Sequence, residues 1–243
     1  MTASPPFLRR IFKGADAGSE GAERAAAQRV YGSNWVPVDE AEAMDQILNV
    51  RDPEAFEAAG RFDAETLLAP HIGRDDAVLD LGCGIGRVVR YVAPLCREVC
   101  AVDASKTMLD YARTRLAHLP NVRFVLGEGA SLGAVESGSI DFAYSLLTLQ
   151  HVEREHAFLL LRELRRVLRP EGSAVLTFPN LLSDVYLEAF VQYAERDETA
   201  NPARARFYTP EEVRRLLPVA GLSVRDLVAD VEIVVTCDVA DPA

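Results

Sequence analysis

The sequence is poor in positive charge. It has 26 Lys and Arg residues against 37 Asp and Glu residues, which gives a net charge of −11 over 243 residues. Proteins that bind DNA or RNA usually present a basic surface, whereas the basic pairs Arg165-Arg166 and Arg214-Arg215 fall on predicted amphipathic helices. We therefore expect no nucleic-acid substrate.

Cysteine is also scarce, and long apolar runs are missing. Cys83, Cys96, Cys100 and Cys237 have neither the spacing of a zinc site nor that of a disulfide framework, so a reduced, cytoplasmic setting is the simplest prediction. No apolar run reaches the length of a membrane span, and residues 1–21 lack the apolar core of a signal peptide. The sequence thus predicts a cytoplasmic protein without a membrane partner and without a metal cluster.

The chain does have ample apolar content and one informative glycine pattern. Hydrophobic residues make up 49% of it, enough for the core of one compact domain or at most two. Residues 78–87 read Val-Leu-Asp-Leu-Gly-Cys-Gly-Ile-Gly-Arg, which is a buried strand followed by three alternating glycines. Residues 88–93 then predict a helix that stops near Pro94. A strand, a glycine turn and a helix form the first unit of a nucleotide-binding α/β domain.

The spacing of the glycines indicates which nucleotide is bound. A dinucleotide site requires G-x-G-x-x-G, but here the third glycine comes one residue early, at Gly86, and Arg87 takes the expected place. Asp80 stands two residues before the first glycine, where a carboxylate would repel a pyrophosphate and attract an ammonium group. S-adenosylmethionine (SAM) has an ammonium group and no phosphate. The alternative interpretation is an ordinary tight turn between a strand and a helix.

The run from Asp80 to Gly86 resembles motif I of the class I SAM-dependent methyltransferases. The resemblance implies a Rossmann-like α/β fold. Its sheet has seven mostly parallel strands, helices on both faces and an antiparallel last strand. It also implies SAM as the cofactor. The residues that we expect to contact SAM are Asp80, Gly82, Cys83, Gly84, Gly86, Arg87, Asp103, Ala104, Met108, Glu128, Gly129, Ala130, Leu146 and Arg61.

Two acidic residues further along the chain support a nucleoside site. Asp103 ends the second predicted strand, 98–103, where an acidic side chain can accept hydrogen bonds from both ribose hydroxyls. Ser105 is a predicted N-cap, with Met108 on the first helical turn near the adenine. Glu128 stands where the resembling family more commonly has an aspartate that accepts the adenine amino group, so its contact must differ. A solvated strand end is the alternative for Asp103.

The rest of the chain predicts three parts around this unit. Residues 1–19 are predicted as a loose tail. Residues 20–72 are predicted as a leader with helices over 20–31, 39–48 and 53–72, which the resemblance assigns as a lid over the open edge of the sheet.

Residues 73–243 form the predicted Rossmann-like domain. A helix of this domain ends at residues 169–172 before a strand at 173–178, and Thr209 and Glu212 start a later helix with a capping box. Within the same domain, residues 181–206 are predicted as an inserted cap whose helix lines an apolar acceptor site. For that helix, packing in the core is the alternative.

Methyl transfer from a sulfonium is an in-line displacement, so orientation can supply much of the acceleration. His151 is the candidate general base because a neutral imidazole suits that role near pH 7. The alternative is that the ring only packs against the cofactor. His156, Tyr186 and Tyr208 are weaker candidates. The expected substrate-binding residues are Tyr31, Trp35, Asn180, Tyr186 and Tyr208.

The sequence therefore predicts methyl transfer to an O, N or C atom of a small molecule, in secondary metabolism. A protein or peptide methyltransferase and a non-catalytic SAM-binding partner protein are the alternatives. A nicotinamide oxidoreductase is opposed by Asp80 and by the glycine spacing. Some members of the resembling family use magnesium, and a homodimer is left open.

Overall fold

A computed structural model describes residues 31–198 and 204–240. The predicted tail and most of the first predicted leader helix lie outside the described residues. The described strands are β1 Ala77–Leu81, β2 Glu98–Asp103, β3 Val122–Leu126, β4 Ile140–Ser145, β5 Leu168–Pro179, β6 Leu222–Ala229 and β7 Glu232–Val239. The helices are α1 Glu40–Leu48, α2 Pro53–Asp63, α3 Val89–Val92, α4 Lys106–Arg115, α5 Arg154–Val167, α6 Asp184–Glu195 and α7 Pro210–Val219.

The seven strands form one sheet in the order β3-β2-β1-β4-β5-β7-β6. The first five strands run parallel, and β7 is antiparallel to both of its neighbours. The predicted fold class is confirmed, including the antiparallel last strand. Because β1 has β2 on one side and β4 on the other, the strand order reverses at β1. Open α/β sheets bind ligands at the carboxyl ends of the strands beside such a reversal.

The strands at this reversal are the most deeply buried part of the sheet. Every residue of β1 is buried, and β4 is buried at five of its six positions. Helices cover both faces, as a parallel sheet requires. On one face α5 contributes Leu160, Leu161 and Leu164 to the larger core cluster. A smaller cluster with Met44, Phe56 and Met108 joins the N-terminal helices to α4.

Helix α2 is shorter than predicted. The sequence predicts one helix over residues 53–72, but the α-helix ends at Asp63 and is followed by a π turn, Ala64–Leu68, and a 3₁₀ turn, Ala69–His71. Pro70 has no N–H group to continue an α-helical ladder. The changed turns keep Ala64 and Leu68 buried in the core.

Strand β5 starts earlier than predicted. The sequence places residues 169–172 at a helix end and the strand at 173–178, whereas β5 begins at Leu168. Leu168 pairs with Ile140, and regular pairing resumes at Ser173 opposite Phe142. The strand therefore contains an irregular stretch, which a propensity pattern over those residues does not reveal.

The inserted segment does form a helix, α6, but none of its residues is fully buried. Tyr186, Phe190 and Tyr193 pack against one ring, Phe207, at centroid distances of 5.6–6.2 Å. The helix therefore packs on the segment that follows it. After that segment, α7 begins with the predicted capping box between Thr209 and Glu212.

Candidate active site

The glycine loop turns sharply because its glycines occupy left-handed conformations. Gly82 has φ +87° and Gly84 has φ +53°, values that glycine adopts without strain. Both Gly82 and Cys83 donate their N–H groups to the carbonyl of Val102, at 2.8 and 2.9 Å. These bonds hold the loop against the end of β2.

The same glycines allow close packing on both sides of the loop. A Cβ atom on Gly82 would lie 2.1 Å from Oγ1 of Thr148, and one on Gly84 would lie 2.9 Å from Cδ1 of Ile47. The loop is thus enclosed between the turn after β4 and helix α1. A cavity opens beside it, lined by residues of β1, β2 and β4, the loops that follow these strands, and the leader.

Asp80 is the buried acid of this cavity. Asp80 is the last but one residue of β1 and is 4% exposed. Burial, together with the charge of the nearby Asp103, raises the pKa of its carboxyl to about 7, although Tyr144 and Arg87 oppose the rise. A buried carboxylate with too few hydrogen bonds and positive charges around it attracts a cation placed beside it.

Tyr144 faces Asp80 from the neighbouring strand. The two residues are register partners across β1 and β4, and the Tyr144 hydroxyl is close enough to Asp80 to lower the pKa of the acid. Nevertheless, this buried hydroxyl makes no hydrogen bond of good geometry among the described residues. A buried, unsatisfied polar atom on a cavity wall indicates a site for a polar ligand.

Asp103 joins the glycine loop to the next helix. Its carboxylate accepts hydrogen bonds from the N–H groups of Gly84 and Ser105, both at 2.8 Å. Burial raises the pKa of Asp103, and these two hydrogen bonds lower it. Each carboxylate oxygen has a second lone pair, so both can still accept a hydrogen bond from a ligand in the cavity.

The helix after Asp103 begins as predicted. Ser105 is its N-cap, and its hydroxyl oxygen accepts a hydrogen bond from the N–H of Met108 at 3.2 Å. The hydroxyl itself donates to the carbonyl of Trp35 in the leader. This places Met108 and Trp35 on the wall of the same cavity.

Arg87 brings the second leader helix to the cavity. It is 4% exposed and forms a 2.6 Å ion pair with Asp63 at the end of α2. Gly60 permits this approach, because a Cβ atom there would lie only 2.5 Å from the carbonyl oxygen of Arg87. The structure does not place Arg61 at the cavity. Its guanidinium lies 5.5 Å from the ring centroid of Tyr91, on the outer side of the helix.

His151 ends the 3₁₀ turn Leu149–His151 that follows β4. Its ring meets the edge of Trp35 at a centroid distance of 4.8 Å, and its Nε2 lies 3.1 Å from the side-chain nitrogen of Gln150. Just before this turn, Leu147 has φ +58°, a strain of roughly 1–3 kcal/mol for a side chain of this kind. The hydroxyl of Thr177 accepts the N–H of Leu147 at 2.9 Å and holds that conformation.

Most of the predicted site residues meet at this one cavity. The ones that line it are Asp80, Gly82, Cys83, Gly84, Arg87, Asp103, Ala104, Met108, Gly129, Leu146, His151, Tyr31 and Trp35. The other predicted cofactor residues are not on its wall. Gly86 has φ +82° and packs beneath Leu116, Ala130 is buried behind the loop, and Glu128 points to solvent.

Three predicted substrate residues lie away from the cavity and hold the insertion in place. Asn180 donates to the carbonyl of Asp230 at 2.8 Å and caps the turn into α6. The hydroxyl of Tyr186 donates to Glu232. Helix α6 therefore contacts the start of β7 instead of forming the predicted acceptor wall.

Tyr208 is the third of these residues. It is 1% exposed and lies between Phe178, at a ring centroid distance of 5.0 Å, and the guanidinium of Arg154, at 4.8 Å. Burial raises the pKa of Tyr208 to about 12. It cannot act as a base in this position.

Several wall residues were missed by the sequence analysis. Gln46 and Ile47 come from α1, Thr148 from the loop after β4, and Tyr144 from β4 itself. The signal for Tyr144 is its register with Asp80, which becomes visible only when β1 and β4 are aligned as neighbouring strands.

Among residues 31–198 and 204–240, no group of three or more His, Cys, Asp and Glu side chains is arranged to hold a metal ion. All four cysteines are free thiols. No helix in these two ranges is long and apolar enough to cross a membrane.

Comparison with known proteins agrees with this geometry. Residues 79–176 match the family model described as a methyltransferase domain. The chain contains a methyltransferase domain. A probable SAM-dependent methyltransferase of Mycobacterium tuberculosis is 30% identical over 154 residues, which are 63% of this chain and 51% of that protein. The chain spans about half the length of that relative, and about two fifths of two others.

Solved structures share the fold of this methyltransferase domain. A SAM-dependent methyltransferase from Aquifex aeolicus superposes with a TM-score of 0.62 at 20% identity, over 84% of this chain and all of that chain. The 1,6-didemethyltoxoflavin-N1-methyltransferase of Burkholderia thailandensis, crystallised with bound 1,6-didemethyltoxoflavin and S-adenosylhomocysteine, gives a TM-score of 0.59 at 22% identity. That match covers 94% of this chain and 92% of the other.

Proposed function

We propose that this protein transfers the methyl group of SAM to an O, N or C atom of a small, uncharged acceptor. The observation that carries the proposal is one cavity that combines a buried acid, a partly buried acid and a glycine loop with an imidazole and an indole ring. The acids suit the cationic, phosphate-free cofactor. The mostly apolar remainder of the wall suits a neutral acceptor.

The cofactor roles follow from the chemistry of the wall. Asp80 attracts the α-ammonium group, Asp103 accepts hydrogen bonds from the ribose hydroxyls, and Met108 packs against the adenine. Arg87 does not attract an anion, because Asp63 already pairs with its charge at 2.6 Å. Bound in this cavity, SAM would supply an electrophilic methyl group on a sulfonium leaving group.

The acceptor roles fall to the leader and the turn after β4. Trp35 and Tyr31 pack against the acceptor, and the imidazole of His151 accepts a proton from an acceptor hydroxyl. The enclosed wall excludes water from the displacement. Secondary metabolites are often small and apolar, so we extend the proposal to an acceptor of that kind, in a cytoplasmic setting that the free cysteines support.

We also propose a division of the chain into parts. Residues 1–19 are a tail and residues 20–72 act as a lid, a role supported by Ile47 on the cavity wall and by the pairing of Asp63 with Arg87. Residues 73–243 form the catalytic domain, and residues 181–206 are an addition at its edge. Protein or peptide acceptors, a non-catalytic SAM-binding role and a homodimer are outcomes that the following experiment and a mass measurement in solution distinguish.

The test begins with binding. Isothermal titration with SAM and, separately, with NADH should show heat only for SAM. Gly84→Val should abolish that heat, because its side chain would meet Ile47 and would force a strained φ. Binding of NADH in place of SAM would refute the proposal.

Catalysis is tested next. Labelled SAM and a metabolite extract should yield a labelled product whose mass identifies the acceptor, and label in protein alone would indicate a protein acceptor. With that acceptor, His151→Ala should lower kcat by about 10²-fold or more, since a general base contributes ~10²–10⁴-fold. SAM affinity should stay within twofold, because the ring does not take part in holding the cofactor. Unchanged turnover would remove His151 from the mechanism.

A further inference from the structure

The turn that carries His151 is held from two sides. On its upstream side, the hydroxyl of Thr148 donates to the carbonyl of Gly82 at 3.3 Å, and Leu147 is fixed by Thr177. These contacts tie the start of the turn to the glycine loop and to β5. They leave the end of the turn, where the imidazole is attached, to be positioned by something else.

Arg206 makes the contacts on the downstream side. Its backbone N–H donates to the carbonyl of Gln150 at 2.7 Å, inside the 3₁₀ turn. Its guanidinium forms an ion pair with Glu153, two residues after His151, and the Arg206 side chain is only 5% exposed. One residue therefore contacts the turn at the carbonyl of the residue before His151 and at a side chain two residues after it.

The leader completes this arrangement. The N–H of Glu153 donates to the hydroxyl of Tyr31 at 3.1 Å, and that hydroxyl contacts Nδ1 of His156 at 2.7 Å. Trp35 then meets the His151 ring itself. The imidazole thus sits between the leader and Arg206, and Arg206 belongs to the segment on which α6 packs.

We propose that Arg206 is a positioning residue for His151, so that the segment after the inserted helix controls the orientation of the candidate base. The Arg206 side chain is buried and that of Glu153 is 50% exposed, so this charge-assisted contact is anchored from the arginine side and orients the turn. A displacement of ~1 Å at a reacting group can cost ~10²-fold in rate. The inference rests on the proposed function for its effect on turnover. Its effect on the His151–Trp35 contact does not depend on activity.

The chain offers a direct probe of that contact, because Trp35 is its single tryptophan. A protonated imidazole quenches a neighbouring indole, so the Trp35 fluorescence should titrate in the range of a histidine. His151→Gln should remove this titration, which assigns it to the ring. His156→Gln, which changes the other histidine near the turn, should retain it.

The experiment compares Arg206→Ala and Arg206→Lys with a control, Arg169→Ala. Arg169 pairs with Asp141 at the opposite end of β4, away from the cavity. We expect Arg206→Ala to lose at least half of the titration amplitude and to lower kcat about tenfold or more, with SAM affinity within twofold of wild type. Arg206→Lys should restore part of both, because it keeps the charge opposite Glu153. Arg169→Ala should retain the full amplitude.

Glu153→Gln removes the ion pair without changing the backbone contact to Tyr31, and it keeps the test open if Arg206→Ala does not fold. A wild-type titration in folded Glu153→Gln or folded Arg206→Ala would overturn the proposal, as would an equal loss in Arg169→Ala. Failure of the proposed function is recognised separately, since wild-type protein would then bind no SAM while the fluorescence comparison still gives its answer.

Discussion

Burial of Asp80 favours its protonated form, whereas binding a cation requires its carboxylate form. Its carboxyl is buried, and burial raises its pKa to about 7, above the value of about 3.9 in an unfolded chain. The folded protein therefore binds this proton more tightly than the unfolded chain does. It follows that the contribution of Asp80 to stability is full below about pH 4 and is lost as the pH rises through about 7.

The neutral isostere Asp80→Asn should remove that dependence. The stability of the variant relative to wild type, measured as the difference in free energy of unfolding, should be greater at pH 8 than at pH 5. Its SAM affinity should fall at least about tenfold. Chemical denaturation at both pH values, without ligand, measures the first effect. The pKa of Asp103 is also raised, so Asp103 contributes to the pH dependence of stability in both proteins. Only the difference in stability between wild type and variant reports on Asp80. An equal difference at both pH values would contradict the raised pKa.

The sequence predicted the positions of residues that are fixed by their neighbours in the chain. It did not predict those of residues that are fixed by packing against distant segments. Asp80, Gly84 and Asp103 are fixed by a strand end and the turn after it, and the alternating pattern marks both. Arg61 could not be placed, because the face of α2 that meets the domain is set by Gly60 against Arg87. Tyr186 faces Glu232 for a similar reason, since the docking of α6 depends on a distant strand.

The packing of helix α2 against the glycine loop depends on Gly60. An alanine at Gly60 would improve helix propensity by about 1 kcal/mol and a valine by less, but the Cβ of either would lie 2.5 Å from the Arg87 carbonyl oxygen and 2.8 Å from the Arg87 Cγ. Overpacking costs about 1–3 kcal/mol, so the clash outweighs the gain. Gly60→Val should therefore destabilise the protein and weaken SAM binding together, as measured by thermal denaturation and titration.

Ala58→Val provides the matched comparison for this prediction. It adds the same type of side chain to the same helix at an exposed position, where substitutions usually stay within about 0.5 kcal/mol. If Gly60→Val lost no more stability than Ala58→Val, the predicted clash with Arg87 would be contradicted. The close approach of α2 to Arg87 would then not matter for the site.

At the scale of the molecule, the strand order explains why distant parts of the sequence form one site. The reversal at β1 leaves a crevice at the carboxyl ends of β1, β2 and β4, and the loops after these strands contribute Gly84, Asp103 and His151 to it. The glycine motif, together with Asp103 and the segment that carries His151, predicted this arrangement. The register between β1 and β4, which places Tyr144 beside Asp80, could not be predicted from any single segment.

A ligand that fills this crevice links the leader, the glycine loop and the turn after β4, so its binding should stabilise the whole fold. At a SAM concentration 100 times Kd, the stabilisation is about 2.7 kcal/mol, which corresponds to a rise in Tm of roughly 5–10 °C for a protein of this size. S-adenosylhomocysteine keeps the ammonium and ribose groups and should give a comparable shift. NADH should give none, and Asp80→Asn should respond weakly to all three ligands. A shift with NADH that exceeds the shift with SAM would show that the cavity was assigned to the wrong nucleotide.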